Sequence, residues 1–440
     1  MSRHLELARR HPHPMLSIGA AAGACAALYP GLLPRSTAVT VMVTCGGVIA
    51  GILVALAFTR LVFTRFALTR DGRLPSARAR HIAHVASALV LIGAIVLHVL
   101  WQNMIRADLG VSGTPWEYGP AVACAALLTY GALTYLPRLS ATVGVVLVGV
   151  VAGLMTTAPA APARPSTAVG TPVPAAPPIL AASGTDQAAA ASLVHHWEER
   201  RALASTPHSA PRRAVVIAVP TGSGWVDPRA LAAISTRLHG NVDVLSLRYA
   251  SMSSWRAFVT DRDAAARSAI SLLRMVIEHQ QHEPFAARAP IYLYGQSLGA
   301  LGADRAREWA QNHYPGAVSG TLLAGVPADT VARTSSSPRV VVANASDPVA
   351  NWSTAALWRP PGKPADTRIV GRHTRIAPWL PVITFVQTSI DLLTALDGPA
   401  GTGHRYGAEQ GLLPAAATPV EVNLAQPIGP RAASYAAPTR

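Results

Sequence analysis

The sequence predicts two unlike parts: a bundle of membrane-spanning α-helices, followed by an α/β domain whose mostly parallel sheet carries helices on both faces. Three observations predict this architecture. Five long apolar stretches lie within residues 1–157. Charged residues make up only 13% of the 440 residues, against about 25% in an ordinary soluble domain, and the mean hydropathy is +0.29. Short apolar runs alternate with amphipathic segments over residues 191–413.

Each apolar stretch of the N-terminal region is close to the roughly 20 residues that cross a bilayer as a helix. The stretches contain almost no charges and many small residues, which suit helix packing in lipid. We therefore expect a five-span region over residues 1–157, with spans at about 15–33, 38–58, 82–101, 119–136 and 140–157. A cleavable signal peptide is the alternative for the first stretch, but the second stretch follows almost at once.

Arginine placement predicts the orientation of the spans. The arginine-rich connections alternate with arginine-poor ones, and the rich ones contain Arg3, Arg9, Arg10, Arg60, Arg65, Arg70, Arg73, Arg78, Arg80 and Arg138. The two poor connections contain only Arg35 and Arg106. Because the rich side is the cytoplasmic side, we expect the N-terminus inside and everything after residue 157 outside.

The formal net charge of +15 divides into +8 for residues 1–156 and +7 for the rest. The first part is a topology signal, and the second lacks an arginine stripe with interleaved aromatic residues. No nucleic-acid partner is therefore expected.

Neither a metal nor an organic cofactor is indicated by the sequence. The three cysteines, Cys25, Cys45 and Cys124, all lie inside predicted spans, and no zinc-ligand spacing occurs. His81 and His84 have helical spacing beside the basic connection. Because no carboxylate or cysteine accompanies them, a solvated pair is favoured over a metal pair.

The composition of two segments does not allow them to form a hydrophobic core. Residues 158–190 are dominated by Pro, Ala and small polar residues, which predicts an extended linker. Residues 414–440 are similar in composition and are expected to form a loosely ordered tail. The α/β domain is thus expected over residues 191–413.

Five short apolar runs in that domain predict buried strands. They are Ala214–Val219, Val242–Leu247, Ile291–Tyr294, Leu322–Val326 and Val340–Ala343. Helices are predicted between and after them, over Asp227–Leu238, Asp261–His279, Leu298–Asn312 and 383–396. Asp227 followed by Pro228 is a helix-start signal. Loops at the carboxyl ends of such strands are the natural active-site edge.

The sharpest motif is Gly295-Gln296-Ser297-Leu298-Gly299. A bare G-x-S-x-G is moderate evidence, but here an apolar strand ends at Gly295 and a helix begins near Leu298. That context predicts a nucleophile elbow, a strand–turn–helix corner that presents the serine hydroxyl. The Leu298 N–H then points towards a developing oxyanion. A plain Gly-Ser turn is the alternative.

A nucleophilic serine needs a base that is oriented by a carboxylate, and in this type of fold the acid follows the serine in the chain. Asp347 directly follows the predicted strand Val340–Ala343 and is our candidate acid. An N-cap or turn aspartate is the alternative reading of it, and Asp391 and Asp397 are the competing acids.

The histidine base should lie on a loop near the C-terminal end of the domain. His404 stands among glycines in Gly401–Gly407, after the helix predicted at 383–396. His373 is the alternative, although only 26 residues separate it from Asp347 and no complete helix lies between them.

A second oxyanion donor is expected from the loop after the first strand of the domain. That loop, Pro220–Trp225, is rich in glycine, and Thr221 or Gly222 is the candidate. Read alone, it resembles a phosphate nest, but it lacks the lysine and the spacing of a P-loop.

Five blocks of sequence carry a resemblance to a known family. The blocks are VVIAVPTGSGWVDP, LRYASMSSW, LYGQSLGALGA, ASDPVANWS and GTGHRYGAE, in order over about 212–410. Together they resemble an actinobacterial family of membrane-anchored α/β-hydrolases with a multi-span N-terminal region. The resemblance implies an α/β-hydrolase fold, with Ser297 as nucleophile and Asp347 and His404 as its partners. Gln296 departs from the family, whose elbows commonly have glutamate there, and the stretch between Val326 and Arg339 is shorter than usual.

The sequence thus predicts a multi-pass membrane protein with an extracytoplasmic serine hydrolase domain. Its expected partners are the lipid bilayer and an acyl-ester substrate, such as a lipid or cell-envelope ester. An acyltransferase that uses the same three residues is one alternative. A catalytically weak module for envelope binding or assembly is the other.

Overall fold

The computed structural model describes residues 14–66, 76–135, 176–184, 187–204, 213–250, 260–261, 263–284 and 287–414. The helices are α1 (Pro14–Leu28), α2 (Thr37–Phe66), α3 (Ala77–Asp108), α4 (Tyr118–Tyr135), α5 (Gln187–Ala204), α6 (Pro228–Arg237), α7 (Ala264–Gln281), α8 (Leu298–His313) and α9 (Ile383–Asp391). The strands are β1 (Ile179–Ser183), β2 (Ala214–Val219), β3 (Val242–Arg248), β4 (Ile291–Gln296), β5 (Val318–Ala324), β6 (Arg339–Asn344) and β7 (Thr367–Val370).

The N-terminal region is helical, and its helices coincide with the first four predicted spans. By length and composition, α2 and α3 could each cross a membrane. The apolar helices α1 and α4 are shorter. The 15 residues of α1 extend over about 23 Å at 1.5 Å per residue, somewhat less than a 30 Å hydrocarbon core. The predicted fifth span, 140–157, lies outside the described residues.

Helices α1 and α2 pack through glycines. A Cβ atom added to Gly19 or to Gly51 would overlap the carbonyl oxygen of the other, and Gly23 and Gly47 face each other in the same way. Because the residue numbers rise along α1 while those of their partners fall along α2, the two helices are antiparallel. Such close backbone approach is typical of small-residue packing between helices in lipid.

The C-terminal region contains a parallel seven-stranded sheet in the order β1-β3-β2-β4-β5-β6-β7. β1 pairs in parallel with β3, β2 with both β3 and β4, and β6 with β7. Every residue of β2, β4 and β6 is buried, as expected for strands covered by helices on both faces. The fold is therefore the predicted one, and the five predicted strands correspond to β2–β6.

The structure differs from the sequence prediction at the linker. Residues 179–183 form β1, which pairs in register with β3, and Gln187–Ala204 forms α5. Residues 179–183 and 187–190 are therefore part of the α/β fold rather than an extended spacer. Strand β7 was also not predicted, since it is short and partly exposed. Most of the predicted tail lies outside the described residues.

The chain divides into two compact units. The first comprises Met1–Val173, Ala324–Arg333 and Val341–Glu409. The second comprises Pro174–Leu323, Thr334–Val340 and Gln410–Arg440. The helical bundle thus shares a unit with Asp347 and His404, whereas Ser297 belongs to the other unit.

Candidate active site

Ser297 occupies the corner between β4 and α8. Its backbone has φ 57° and ψ −124°, a region that residues other than glycine rarely adopt. Such a conformation costs about 1–3 kcal/mol and persists only where the surrounding structure holds it. The chain therefore turns sharply at this serine, as the predicted elbow requires.

Two glycines make the corner possible. A Cβ atom on Gly295 would overlap the backbone of Gly299, and one on Gly299 would overlap the carbonyl oxygen of Val219. The elbow therefore packs directly against the end of β2. Gln296, between Gly295 and the serine, is buried, and its Oε1 has no hydrogen-bond partner among the described residues.

Asp347 and His404 lie together. The Asp347 Oδ2 atom is 2.9 Å from His404 Nδ1, and the aspartate is fully buried. Its other oxygen, Oδ1, accepts a hydrogen bond of 2.8 Å from the Val349 N–H. The remaining ring nitrogen of the histidine, Nε2, is buried and has no hydrogen-bond partner among the described residues. A carboxylate thus orients the imidazole while Nε2 stays available, which is the arrangement of a general base.

Two family models match the chain. A family model described as "Alpha/beta-hydrolase family" matches residues 181–336 and 330–421. A second model, "Alpha/beta-hydrolase family N-terminus", matches residues 28–185. The chain belongs to this alpha/beta-hydrolase family. No curated protein matches the chain. These matches confirm the family and its N-terminal part, and they do not bear on the actinobacterial source that the resemblance suggested.

The loop after β2 is closed by backbone hydrogen bonds between its own residues. The Thr221 N–H donates to the Trp225 carbonyl at 2.9 Å, and the Gly224 N–H donates to the Thr221 carbonyl at 2.8 Å. The Thr221 amide is therefore engaged within the loop. The other predicted donor, Leu298, is the first residue of α8, where backbone N–H groups have no partner within the helix.

Tyr406 is a site residue that the sequence analysis missed. Its hydroxyl donates to Asp347 Oδ2 at 2.5 Å and accepts a hydrogen bond of 3.2 Å from the Asn344 N–H. Burial and the negative charge of Asp347 raise the pKa of the Tyr406 phenol well above its ordinary value, so the phenol remains a donor. Only the folded loop reveals this role, because a tyrosine two residues after a histidine is not a recognised pattern.

The loop that carries His404 is fixed on several sides. The Asn344 side chain donates to the carbonyl oxygens of Gly403 and Arg405 at 2.9 and 3.1 Å. The Gly403 N–H donates to Ser346 Oγ at 2.9 Å, and the His404 N–H donates to the Ala395 carbonyl at 2.7 Å. These contacts hold the imidazole on the end of β6 and on the segment that follows α9.

The competing candidate residues are placed elsewhere. Asp391 is buried in an ion pair with Arg35, and its carboxylate is therefore occupied. Asp397 and His373 are exposed. Among the residues that the structure describes, no group of three or more His, Cys, Asp or Glu side chains could hold a metal ion.

Proposed function

We propose that this protein is a membrane-anchored serine hydrolase that cleaves acyl esters with Ser297, His404 and Asp347. The observation that carries the proposal is the strained conformation of Ser297 at the strand–helix corner, which is the geometry of a nucleophile elbow. The oriented imidazole of His404 and the family membership support it.

In the proposed reaction, the Ser297 hydroxyl attacks the ester carbonyl while His404 Nε2 takes its proton. The negative charge that develops on the carbonyl oxygen is stabilised by the Leu298 N–H and by a backbone N–H of the loop after β2, for which Thr221 and Gly222 are the candidates. His404 then gives the proton to the departing alkoxide, which leaves as an alcohol. Water attacks the acyl-enzyme with His404 again as base, and this step releases the carboxylic acid and restores the serine.

The test uses the full chain in its membrane and a fluorophosphonate probe, which reacts with activated serines. We expect the wild type to be labelled and to hydrolyse short-chain p-nitrophenyl esters, and Ser297→Ala to do neither. Ser336→Ala, which changes an exposed serine, is the matched control and should behave as the wild type. Equal labelling of Ser297→Ala and wild type would contradict the proposal.

We further propose that the α/β part is extracytoplasmic. The Tyr29 hydroxyl donates to the Pro378 carbonyl at 2.7 Å, and Arg372 Nη1 donates to the Leu109 carbonyl at 3.0 Å. Residues 372–378 thus lie at the bundle end that carries the α1–α2 and α3–α4 connections, opposite the arginine-rich connection between α2 and α3. Because the rich connection is expected in the cytoplasm, these contacts support an outside location.

Cysteine accessibility in intact cells tests this location. In a chain whose three cysteines are replaced by alanine, a membrane-impermeant maleimide should label Arg368→Cys before lysis and Arg78→Cys only after lysis. Both positions are exposed, so access to the reagent differs only by the side of the membrane. The reverse labelling pattern would refute the proposed orientation.

A further inference from the structure

One segment of the first unit exposes a series of large hydrophobic side chains. We call it the 376–396 surface; its exposed members are Ile376, Leu380, Val382, Val386, Leu393 and Leu396, between 36% and 56% exposed. Within residues 376–396 the only charged residue is Asp391, and that side chain is fully buried. A series of exposed apolar side chains without exposed charge within 21 consecutive residues indicates a site that a membrane or another molecule covers.

The 376–396 surface is fixed to the ends of the membrane helices. Gln387 Nε2 donates to the Ala26 carbonyl in the last turn of α1 at 2.6 Å. Asp391 accepts a hydrogen bond of 2.6 Å from the Leu32 N–H and pairs with Arg35. These contacts hold the surface at the level where α1 ends, which is the level of the bilayer interface if the helices span the membrane.

The neighbourhood of the surface has the composition of a membrane interface. The Leu357 carbonyl accepts a hydrogen bond of 3.1 Å from the Val382 N–H, and the next residue, Trp358, is 66% exposed. Arg375, which is half-exposed and whose Nε lies 3.5 Å from the Asp108 carboxylate, precedes the surface. Tryptophan favours the headgroup level, and arginine favours anionic lipid headgroups.

Val382 adds a second observation. It has φ 63°, which is an outlier for a β-branched residue, and its side chain is 54% exposed. Glycine would meet the backbone requirement without strain, so the strained turn keeps an apolar side chain on the outside. Insertion into the membrane would remove this side chain from water.

We propose that the 376–396 surface docks into the bilayer interface and so holds the His404 loop, which rests on Ala395, at the membrane. The inference rests on the proposed function, and it specifies the substrate class as esters of lipids that reside in the bilayer. A second copy of the chain is the competing occupant. The bilayer is favoured because the surface is continuous with the ends of α1 and α3, which would themselves lie at the interface.

The docking test is independent of catalysis. Val386→Cys, in the full chain with its three cysteines replaced by alanine, is labelled with bimane and reconstituted into vesicles of phosphatidylcholine and phosphatidylglycerol. Brominated acyl chains should quench this fluorophore and leave a bimane at Leu203→Cys, an exposed position on α5, unquenched. Bimane at position 386 that is not quenched overturns the proposal, and so does cross-linking between copies at that position.

The catalytic consequence is tested with two esters. Combined Val386→Gln, Leu393→Gln and Leu396→Gln should leave hydrolysis of a soluble short-chain ester unchanged and lower hydrolysis of a vesicle-embedded long-chain ester about tenfold or more. Leu203→Gln with Ile369→Gln, which alters exposed apolar side chains outside the surface, should change neither rate. Equal loss on both esters would overturn the proposal. If the wild type cleaves no ester, the proposed function fails, whereas the quenching result still decides the docking.

Discussion

Asp391 and Arg35, 356 positions apart in the chain, form a buried ion pair. The Asp391 Oδ1 atom accepts from Arg35 Nη2 at 2.7 Å and from Nε at 3.0 Å. The Gln387 side chain completes the cluster, since its Oε1 accepts from Arg35 Nη1 at 2.5 Å. The short connection between two apolar helices is thus tied to α9, which precedes the His404 loop.

We expect removal of one member of this pair to destabilise the protein strongly. Arg35→Gln or Asp391→Asn would leave a buried charge without its partner, at a cost of about 3–5 kcal/mol in the free energy of unfolding. Thermal unfolding of the full chain in detergent measures the loss. The control is Arg305→Gln, which breaks the exposed pair with Glu308 and should cost about 0–1 kcal/mol. Similar losses in both would argue against a structural role for the buried pair.

Tyr406 is expected to be a positioning residue for the acid–base pair. Tyr406→Phe removes the hydroxyl that donates to Asp347 and should lower kcat about tenfold, with KM unchanged, because a hydrogen bond to a charged group contributes about 1.5–3 kcal/mol. Ester hydrolysis by the full chain measures both constants. Tyr294→Phe removes another buried phenol bond, to Gln410 Oε1 at 2.7 Å, and should leave kcat near the wild-type value. A rise in KM alone for Tyr406→Phe would contradict this role.

The glycine contact between α1 and α2 predicts that alanine lowers stability at a contact glycine but not at a glycine outside the contact. Gly51→Ala should destabilise the bundle by about 1–3 kcal/mol, because its methyl group would overlap the backbone of Gly19. Gly93→Ala, on α3, meets open space and should be neutral or slightly stabilising. The midpoint of thermal unfolding in detergent distinguishes them. Equal midpoints would mean that the helices adjust without cost.

Asp227 predicts a pH dependence of stability in the second unit. Burial raises the pKa of its carboxyl above the ordinary 3.8, although Arg229 and Gln410 donate hydrogen bonds to it. Because the folded-state pKa is the higher one, the stabilisation is fully present below pH 3.8 and is lost as the pH rises through the raised pKa. Asp227→Asn keeps a capping side chain but does not titrate. The stability of wild type relative to this variant should therefore fall between acid and neutral pH.

A second aspartate supplies the control for that experiment. The hydrogen bond from Arg267 lowers the pKa of the exposed Asp261 carboxyl. Its stabilisation is therefore present above the unfolded pKa and is lost as the pH falls through the lowered one. Relative to Asp261→Asn, the wild type should gain stability from acid to neutral pH, by a smaller amount because solvent screens the group. The same slope for both variants would contradict the assigned shifts.

The central strands were predictable, whereas the edges of the sheet were not. Strands β2–β6 each contain a short run of mainly apolar residues, and burial on both faces favours that pattern. β7 lies at an edge and is partly exposed, so its residues carry no such signal. For α5 the signal existed: Ala190, Leu193, Val194 and Trp197 are buried with helical spacing. The Pro/Ala-rich composition of the preceding residues obscured it.

The candidate site was predictable where side-chain identity is decisive. Ser297, Asp347 and His404 each stand in a local context of glycine, proline or a preceding strand, and the structure brings Asp347 and His404 together. The Thr221 amide is engaged in the turn after β2, and that is a property of backbone geometry which the sequence does not show. Tyr406 and Arg35 act through contacts with residues distant in the chain, which a single sequence does not reveal.

Strand β1 has a practical consequence for expression of the α/β part alone. It lies at the edge of the sheet, where it covers β3, so a fragment that begins at residue 191 would present an unpaired, largely apolar strand. Exposed edges of that kind recruit other chains and aggregate. A fragment meant to remain soluble should begin before residue 176 and keep β1, and it should carry Asp391→Asn, since its Arg35 partner would be gone.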